Sequence, residues 1–322
     1  MNPRFISADE IHTSFSFASA VEAIEAALRN GLDPAADLPR SILPIDKGEL
    51  LVMPASSAEG SGIKVLTIAP NNPALNQPRI QGLYLLFDKE NLSVSSILDG
   101  AALTTFRTPA ISFAAIRSAL NKSSHDYSVL IFGSGPQAIS HVQTLSAIAP
   151  KELAIKNVTF VVRDLDKAAK RIPDRSQLGL GDKCQIHILG AGNAEMNSHL
   201  ERADLVIAAT TARTPLFNSS LLKQKVVVIA VGSHEKNVRE IDSALVSRAQ
   251  VVVETRASAL REAGDVIMAI AEGAITGDSL VELSDVVCGR TVLNFEEPIL
   301  FKSSGMSWED LVIARAIERT LE

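Results

Sequence analysis

The chain has 322 residues, of which 46% are hydrophobic and 21% charged, and its formal net charge is −6. This composition is ample for two cores and excludes a disordered chain, while the absence of any Lys/Arg cluster speaks against nucleic acid and anionic membrane as partners. Cys184 and Cys288 lack metal-ligand spacing and read as reduced thiols, so no metal is expected. The stretch from Met1 to Ile6 has no signal-peptide core, and no uninterrupted apolar run is long enough to cross a bilayer, so a soluble cytoplasmic protein is expected.

Taken in order, Ser7 to Glu10 has the spacing of a capping box, and a helix starting near Ser16 carries Val21, Ile24 and Leu28 on one face. Short β-type runs follow at Arg40–Pro44, Glu49–Pro54, Gly62–Ile68, Gly82–Phe87 and Ser93–Leu98, joined by turns, which predicts an antiparallel sheet. Thr104 to Leu120 reads as a helix, and the polar stretch from Asn121 to Asp126 reads as a linker.

The next stretch organises the chain. Ser128–Phe132 is an apolar strand that stops at Gly133-Ser-Gly135-Pro-Gln-Ala138; a helix with Ile139, Val142, Leu145 and Ile148 follows, then a strand at Val158–Val162. A strand, a glycine turn, a helix and a strand open a dinucleotide-binding βαβ unit. Gly133 would permit the tight turn, Gly135 the close approach of a pyrophosphate, and Ala138 close helix–strand packing. At the end of the second strand, where NAD sites place an acid roughly 20 residues after the glycines, Val162 is followed by Arg163, whose fork suits a 2′-phosphate. NADP(H) is therefore preferred; Asp164 and Asp166 nearby keep NAD(H) open.

Further strands are expected at Cys184–Leu189, Leu205–Thr210, Val226–Val231 and Val251–Glu254, with helices at Glu240–Ser247 and Leu260–Ala271. The alternation indicates a parallel, doubly wound sheet. Leu300 to Gly305 leads to a final helix, Trp308–Leu321. Thr210 and Thr211 end one strand and His234 follows another, at the carboxyl edge where ligands bind in such sheets. The threonines are either nicotinamide or ribose contacts or plain turn residues, and His234 either a proton donor or a surface histidine. Arg40, Lys64 and Arg107 are cations in or beside the antiparallel sheet; they either converge on a small carboxylate or point singly to water.

The combination resembles the ornithine cyclodeaminase / μ-crystallin family. The matching stretches are Pro39–Ser41, Leu51–Ala55, Gly62–Thr67, Leu98–Gly100, Thr105–Thr108, Gly133–Ala138, Ala230–Ser233, Arg239–Glu240 and Phe301–Gly305. The resemblance implies an α/β chain: an α+β substrate and dimerisation domain over residues 1–125 with 299–322, a Rossmann domain over 126–298, and a C-terminal helix returning to the first domain. It implies a substrate carboxylate held by Arg40, Lys64 and Arg107, beside Met53; Lys64, Arg107 and His234 are expected to act in the chemistry. It also implies cofactor contacts from Thr108, Gly133, Gly135, Pro136, Gln137, Ala138, Arg163, Thr210, Thr211, Val231 and Ser303. One position departs: cyclodeaminases that convert ornithine to proline carry a catalytic aspartate where His234 stands. The leading expectation is thus an NAD(P)H-dependent reductase of small cyclic imino acids, in a homodimer. Ornithine cyclodeamination with bound NAD, alanine dehydrogenation and non-catalytic NADPH binding stand as alternatives.

Overall fold

The computed structural model describes residues 3–122 and 126–322. Ser123, Ser124 and His125, the middle of the expected linker, lie outside the described residues, as do Met1 and Asn2. The chain divides into two compact units, Met1–Ile111 with Gly305–Glu322, and Ser112–Ser304.

The first unit is built on a six-stranded sheet. β1 (Arg4–Ile6), α1 (Ala8–Ser14) and α2 (Phe17–Arg29) come first, then β2 (Ser41–Ile45), β3 (Gly48–Ser57), β4 (Gly60–Ile68), β5 (Ile80–Phe87) and β6 (Val94–Asp99). The sheet order is β1-β6-β5-β4-β3-β2, antiparallel except for β1, which pairs parallel with β6. The capping box forms: Glu10 N–H donates to Ser7 Oγ at 3.3 Å and Ser7 N–H to Glu10 Oε2 at 2.9 Å. On α2, Ala20, Val21, Ile24 and Leu28 are buried at helical spacing. On β4, burial alternates, and Lys64 belongs to the buried set with Leu66 and Ile68. α3 (Gly100–Lys122) starts one turn before the expected Thr104, because Asp99 Oδ1 accepts from the Ala102 N–H at 2.8 Å and caps it. The division between units falls inside α3 rather than in the linker.

The second unit is an eight-stranded parallel sheet. In chain order it holds β7 (Asp126–Phe132), α4 (Pro136–Ile148), β8 (Ala154–Val162), α5 (Leu165–Arg171), β9 (Gln185–Gly190), α6 (Met196–Arg202), β10 (Leu205–Ala208) and β11 (Val227–Ala230). α7 (Ser243–Arg248), β12 (Gln250–Val253), α8 (Arg256–Glu262), α9 (Gly264–Ala271), β13 (Val281–Glu282), α10 (Leu283–Val287) and β14 (Ile299–Lys302) complete it. The order is β13-β12-β14-β11-β10-β7-β8-β9. β8 and β9 extend one side of β7 and β10 returns to its other side, so the carboxyl ends of β7 and β10 flank a topological switch point. β10, β11 and β14 are buried over their whole length, as a sheet covered on both faces requires. Among the described residues no helix is long and apolar enough to cross a membrane.

Three sequence expectations are corrected. Ile299–Lys302 does not belong with the first unit; it pairs with β11 and β12, so the second unit runs to Ser304. Glu240 is not helical, because Asp242 caps α7 by accepting from the Leu245 N–H, which starts the helix at Ser243. Leu260–Ala271 is not one helix; it breaks between Glu262 and Gly264, where a Cβ on Gly264 would lie 2.1 Å from the Val238 carbonyl oxygen.

The last helix, α11 (Ser307–Leu321), returns to the first unit and packs on α2, β3, β4 and β5. Trp308, Leu311, Ile313, Ala314 and Ile317 are its buried apolar residues.

In the second unit the turn after β7 depends on a missing side chain. Gly133 has φ +115°, and a Cβ there would lie 2.6 Å from the Ala209 carbonyl oxygen. Gly133→Ala is expected to lower stability by about 1–3 kcal/mol. Urea denaturation measures this, and a variant as stable as the parent would contradict it.

Candidate active site

In the first unit the three cations come together at the start of α11. Lys64 is 1% exposed, and its Nζ donates to Asp310 Oδ2 at 2.6 Å. Arg107, from α3, donates through Nη1 to Glu309 Oε2 at 2.9 Å, and its Nε lies 3.8 Å from Asp310 Oδ1. Arg40, just before β2, donates through Nη2 to the Gly305 carbonyl. Gly305 has φ +82°, and a Cβ on it would sit 2.5 Å from Arg107 Nη1, so Arg40 and Arg107 meet over one residue. Lys64 therefore does not point to water.

Burial is the largest influence on Lys64 and pulls its pKa down from 10.5 to about 8. Asp310 opposes this; Arg107 and Arg40 reinforce it. The folded chain thus releases this proton more readily than the unfolded chain. Lys64 weighs against the fold below pH 8, and that penalty fades as pH rises from about 8 to 10.5. Exchanging the pair for apolar residues could be neutral, but removing Asp310 alone would strand a buried ammonium, a change worth about 3–5 kcal/mol.

Other residues share the row. Met53 pairs with Lys64 across β3 and β4, Tyr84 pairs with Lys64 across β4 and β5, and both are buried. Thr108 follows Arg107 and is 4% exposed. Sequence reading missed Glu309 and Asp310, the carboxylates that hold Lys64 and Arg107; two adjacent acids in the first turn, directly before the apolar run Leu311–Ala314, were the available signal.

In the second unit the glycine turn fits a dinucleotide phosphate. Gly135 is the N-cap of α4 and supplies no side-chain cap, Pro136 occupies the first turn, and a Cβ on Gly135 would meet nothing within 4 Å. Backbone donors at such a helix start are ready for an anion. Gln137 follows in that first turn, and Ala138 is fully buried. Arg163 is exposed immediately after β8, while Asp164 caps α5 by accepting from the Lys167 N–H at 2.9 Å.

At the carboxyl edge, Thr210 does not offer its hydroxyl outward: Oγ1 donates to Glu240 Oε1 at 2.6 Å. Thr211 is exposed, and Val231 and His234 are half-buried in the loop after β11. Ser303 is 2% exposed and its hydroxyl donates to Glu254 Oε1 at 2.6 Å. Among the described residues, no three His, Cys, Asp or Glu side chains gather in a way that would hold a metal.

Asp310→Asn is expected to lower the Lys64 pKa further, because the opposing charge is lost. NMR titration of the Lys64 Cε resonance should give a midpoint near 8 in the parent and a lower one in the variant. A parent midpoint at the ordinary lysine value would contradict the site as described.

The profile of the ornithine cyclodeaminase/mu-crystallin family matches residues 1–322. The ketimine reductase mu-crystallin of Mus musculus is 31% identical over 98% of this chain and 96% of its own. A Delta(1)-pyrroline-2-carboxylate reductase of Bacillus thuringiensis subsp. konkukian is 30% identical, covering 88% of this chain and 86% of its own. Among solved structures, Thermococcus litoralis Delta(1)-pyrroline-2-carboxylate reductase in complex with NADH and L-proline superposes with a TM-score of 0.86 at 24% identity, over 98% of this chain and 97% of that one, which speaks to the fold. The chain belongs to the ornithine cyclodeaminase/mu-crystallin family.

Proposed function

We propose that the protein is a nicotinamide-dependent reductase of small cyclic α-imino acids, converting Δ1-pyrroline-2-carboxylate or Δ1-piperideine-2-carboxylate to L-proline or L-pipecolate. The observation that carries this is the gathering of Arg40, Lys64 and Arg107 around Gly305 and the start of α11, in a chain that also holds the dinucleotide turn. The names of the relatives support the same class: reductases of a ketimine and of Δ1-pyrroline-2-carboxylate, both carbon–nitrogen double bonds.

Arg40 and Arg107 take the substrate carboxylate, whose two oxygens match a guanidinium fork. Glu309 and Asp310 hold Arg107 in place beforehand and the Gly305 carbonyl holds Arg40, so that geometry contributes to the rate. Lys64, with a pKa of about 8, holds a proton that it can transfer near neutral pH to the imine nitrogen. A reduced nicotinamide dinucleotide, held through the turn Gly133 to Ala138, would supply the hydride that the imine carbon takes up. The C=N bond becomes CH–NH by addition of the hydride at carbon and the proton at nitrogen, and Lys64 is reprotonated before the next turnover. His234 stands where cyclodeaminases carry aspartate, which favours reduction over ornithine cyclodeamination.

NADP(H) is the preferred cofactor in this reading. Arg163 is exposed at the end of β8, and the neighbouring Asp164 spends its carboxylate on the α5 cap. The working unit is proposed to be a homodimer. Val52, Ile63, Val65 and Leu85 are only half-buried on the sheet face opposite α11, and Leu43 and Leu83 are 48% and 43% exposed beside them. An apolar face of this kind suits a second copy.

Purified protein should oxidise NADPH with either cyclic imine. Lys64→Met should lower kcat by about a hundredfold or more, the upper part of the range for a proton donor, and His234→Gln by less than about tenfold. No cofactor oxidation with either imine, or ammonia release from ornithine without NADH accumulation, would overturn the reading. Arg163→Ala should raise the KM for NADPH about tenfold while barely moving that for NADH, as expected for losing one charge-assisted contact. Equal effects on both cofactors would reject the NADP preference. Sedimentation equilibrium should give a dimer at micromolar concentration; a monomer would reject the assembly.

A further inference from the structure

The second unit buries two carboxylates and an ammonium that the proposed chemistry does not use. Glu240 and Asp265 are 0% exposed and Lys302 is 1% exposed. The Glu240 carboxylate accepts three hydrogen bonds: from Thr210 N–H at 2.8 Å, Thr210 Oγ1 at 2.6 Å and Gly232 N–H at 2.8 Å. Thr210 belongs to the loop after β10 and Gly232 to the loop after β11, so one side chain spans two adjacent loops at the carboxyl edge. A Cβ on Gly232 would lie 2.2 Å from the Thr210 carbonyl oxygen and 2.5 Å from each Glu240 oxygen; only glycine permits this closeness. Thr210 Cγ2 in turn lies 3.7 Å from the place a Gly133 Cβ would take, beside the phosphate turn.

Glu240 is itself held. Asp265 Oδ1 accepts from the backbone N–H of Glu240 at 2.8 Å and of Ile241 at 2.9 Å. Asp265 Oδ2 pairs with Lys302 Nζ at 2.9 Å, and Lys302 Nζ donates to the Ser233 carbonyl at 2.7 Å. The chain of contacts therefore runs from β14 through Asp265 and Glu240 to the β10 and β11 loops, and returns to β14 through Ser233, next to His234.

Buried ion clusters are a poor source of net stability compared with apolar packing. Their strength is geometric, because charge-assisted bonds are short and directional. We propose that Glu240 is the positioning residue of the dinucleotide site: its carboxylate locks the β10 and β11 loops together so that Thr211, Val231 and His234 meet the nicotinamide half of the cofactor in a preset arrangement. Asp265 and Lys302 brace it. This rests on the dinucleotide reading above, though not on the identity of the imine.

Glu240→Gln is the direct test, since it keeps size and shape. A carboxamide has one oxygen acceptor, so its NH2 group must face a backbone N–H of either Thr210 or Gly232, and one loop comes loose. Fluorescence titration of the variant with NADPH should show a Kd raised roughly tenfold, the size expected for one lost bond to a charged acceptor. A purely structural role would lower the melting temperature and leave the Kd of the folded protein unchanged; a Kd within about twofold of the parent overturns the proposal. If the variant does not fold, hydrogen exchange on the parent without cofactor decides. The Thr210 and Gly232 amides should be protected like those of β10 and β11; exchange at the rate of exposed loops, with protection appearing only on cofactor binding, overturns it. A parent that binds NADPH yet reduces no imine sinks the imine reading and leaves this one standing. A parent that binds neither dinucleotide sinks both.

Discussion

An ammonium and a carboxylate, each about 1% exposed and 2.6 Å apart, join the middle of β4 to the first turn of α11. Separating Lys64 from Asp310 would leave one buried charge uncompensated, so the pair fixes where α11 begins on the sheet. Arg107 is drawn to the same turn by Glu309, and Arg40 by the carbonyl of Gly305, the residue through which the chain enters α11. The final helix thus does more than cover an apolar sheet face. It supplies the counter-charges that let three cations crowd together in a place from which burial would otherwise expel them. A cluster held this way is organised before any ligand arrives, and a small carboxylate is its natural complement.

The second unit uses the same device at another place. Glu240, Asp265 and Lys302 are buried charges tied to backbone groups of loops rather than to a helix start. In both units the buried charges stand where a ligand site is proposed, and apolar side chains fill the core, as in the β10, β11 and β14 layer. Functional sites are where proteins accept such costs.

The sequence made local patterns legible and non-local ones opaque. The turn Gly133–Ala138 carried its meaning within a few residues, as did the Ser7 capping box and the alternation of β4. Lys64 stood out as a cation among apolar neighbours, yet its partner lies 246 positions later and no local signal joins them. β14 was not placed because insertion of the last strand between β11 and β12 is a long-range pairing that four apolar residues cannot specify. β1 escaped because three residues are too few to show a period. Glu240 was assigned to a helix because the apolar residues after it continue a helical pattern, whereas the Asp242 cap decides where the helix starts. The place of Thr210 at a strand end allows a cofactor contact or a plain turn residue, and no local signal shows that its hydroxyl donates to Glu240, 30 positions later.

The claim on which the account turns is that the cation cluster recognises a carboxylate on a small cyclic amine. Calorimetric titration with L-proline and with pyrrolidine, which lacks only the carboxylate, measures this without any turnover. The account predicts saturable binding of L-proline, none of pyrrolidine, and loss of the L-proline signal in Arg107→Leu. Equal binding of the two amines, or an undiminished L-proline signal in the variant, would contradict it.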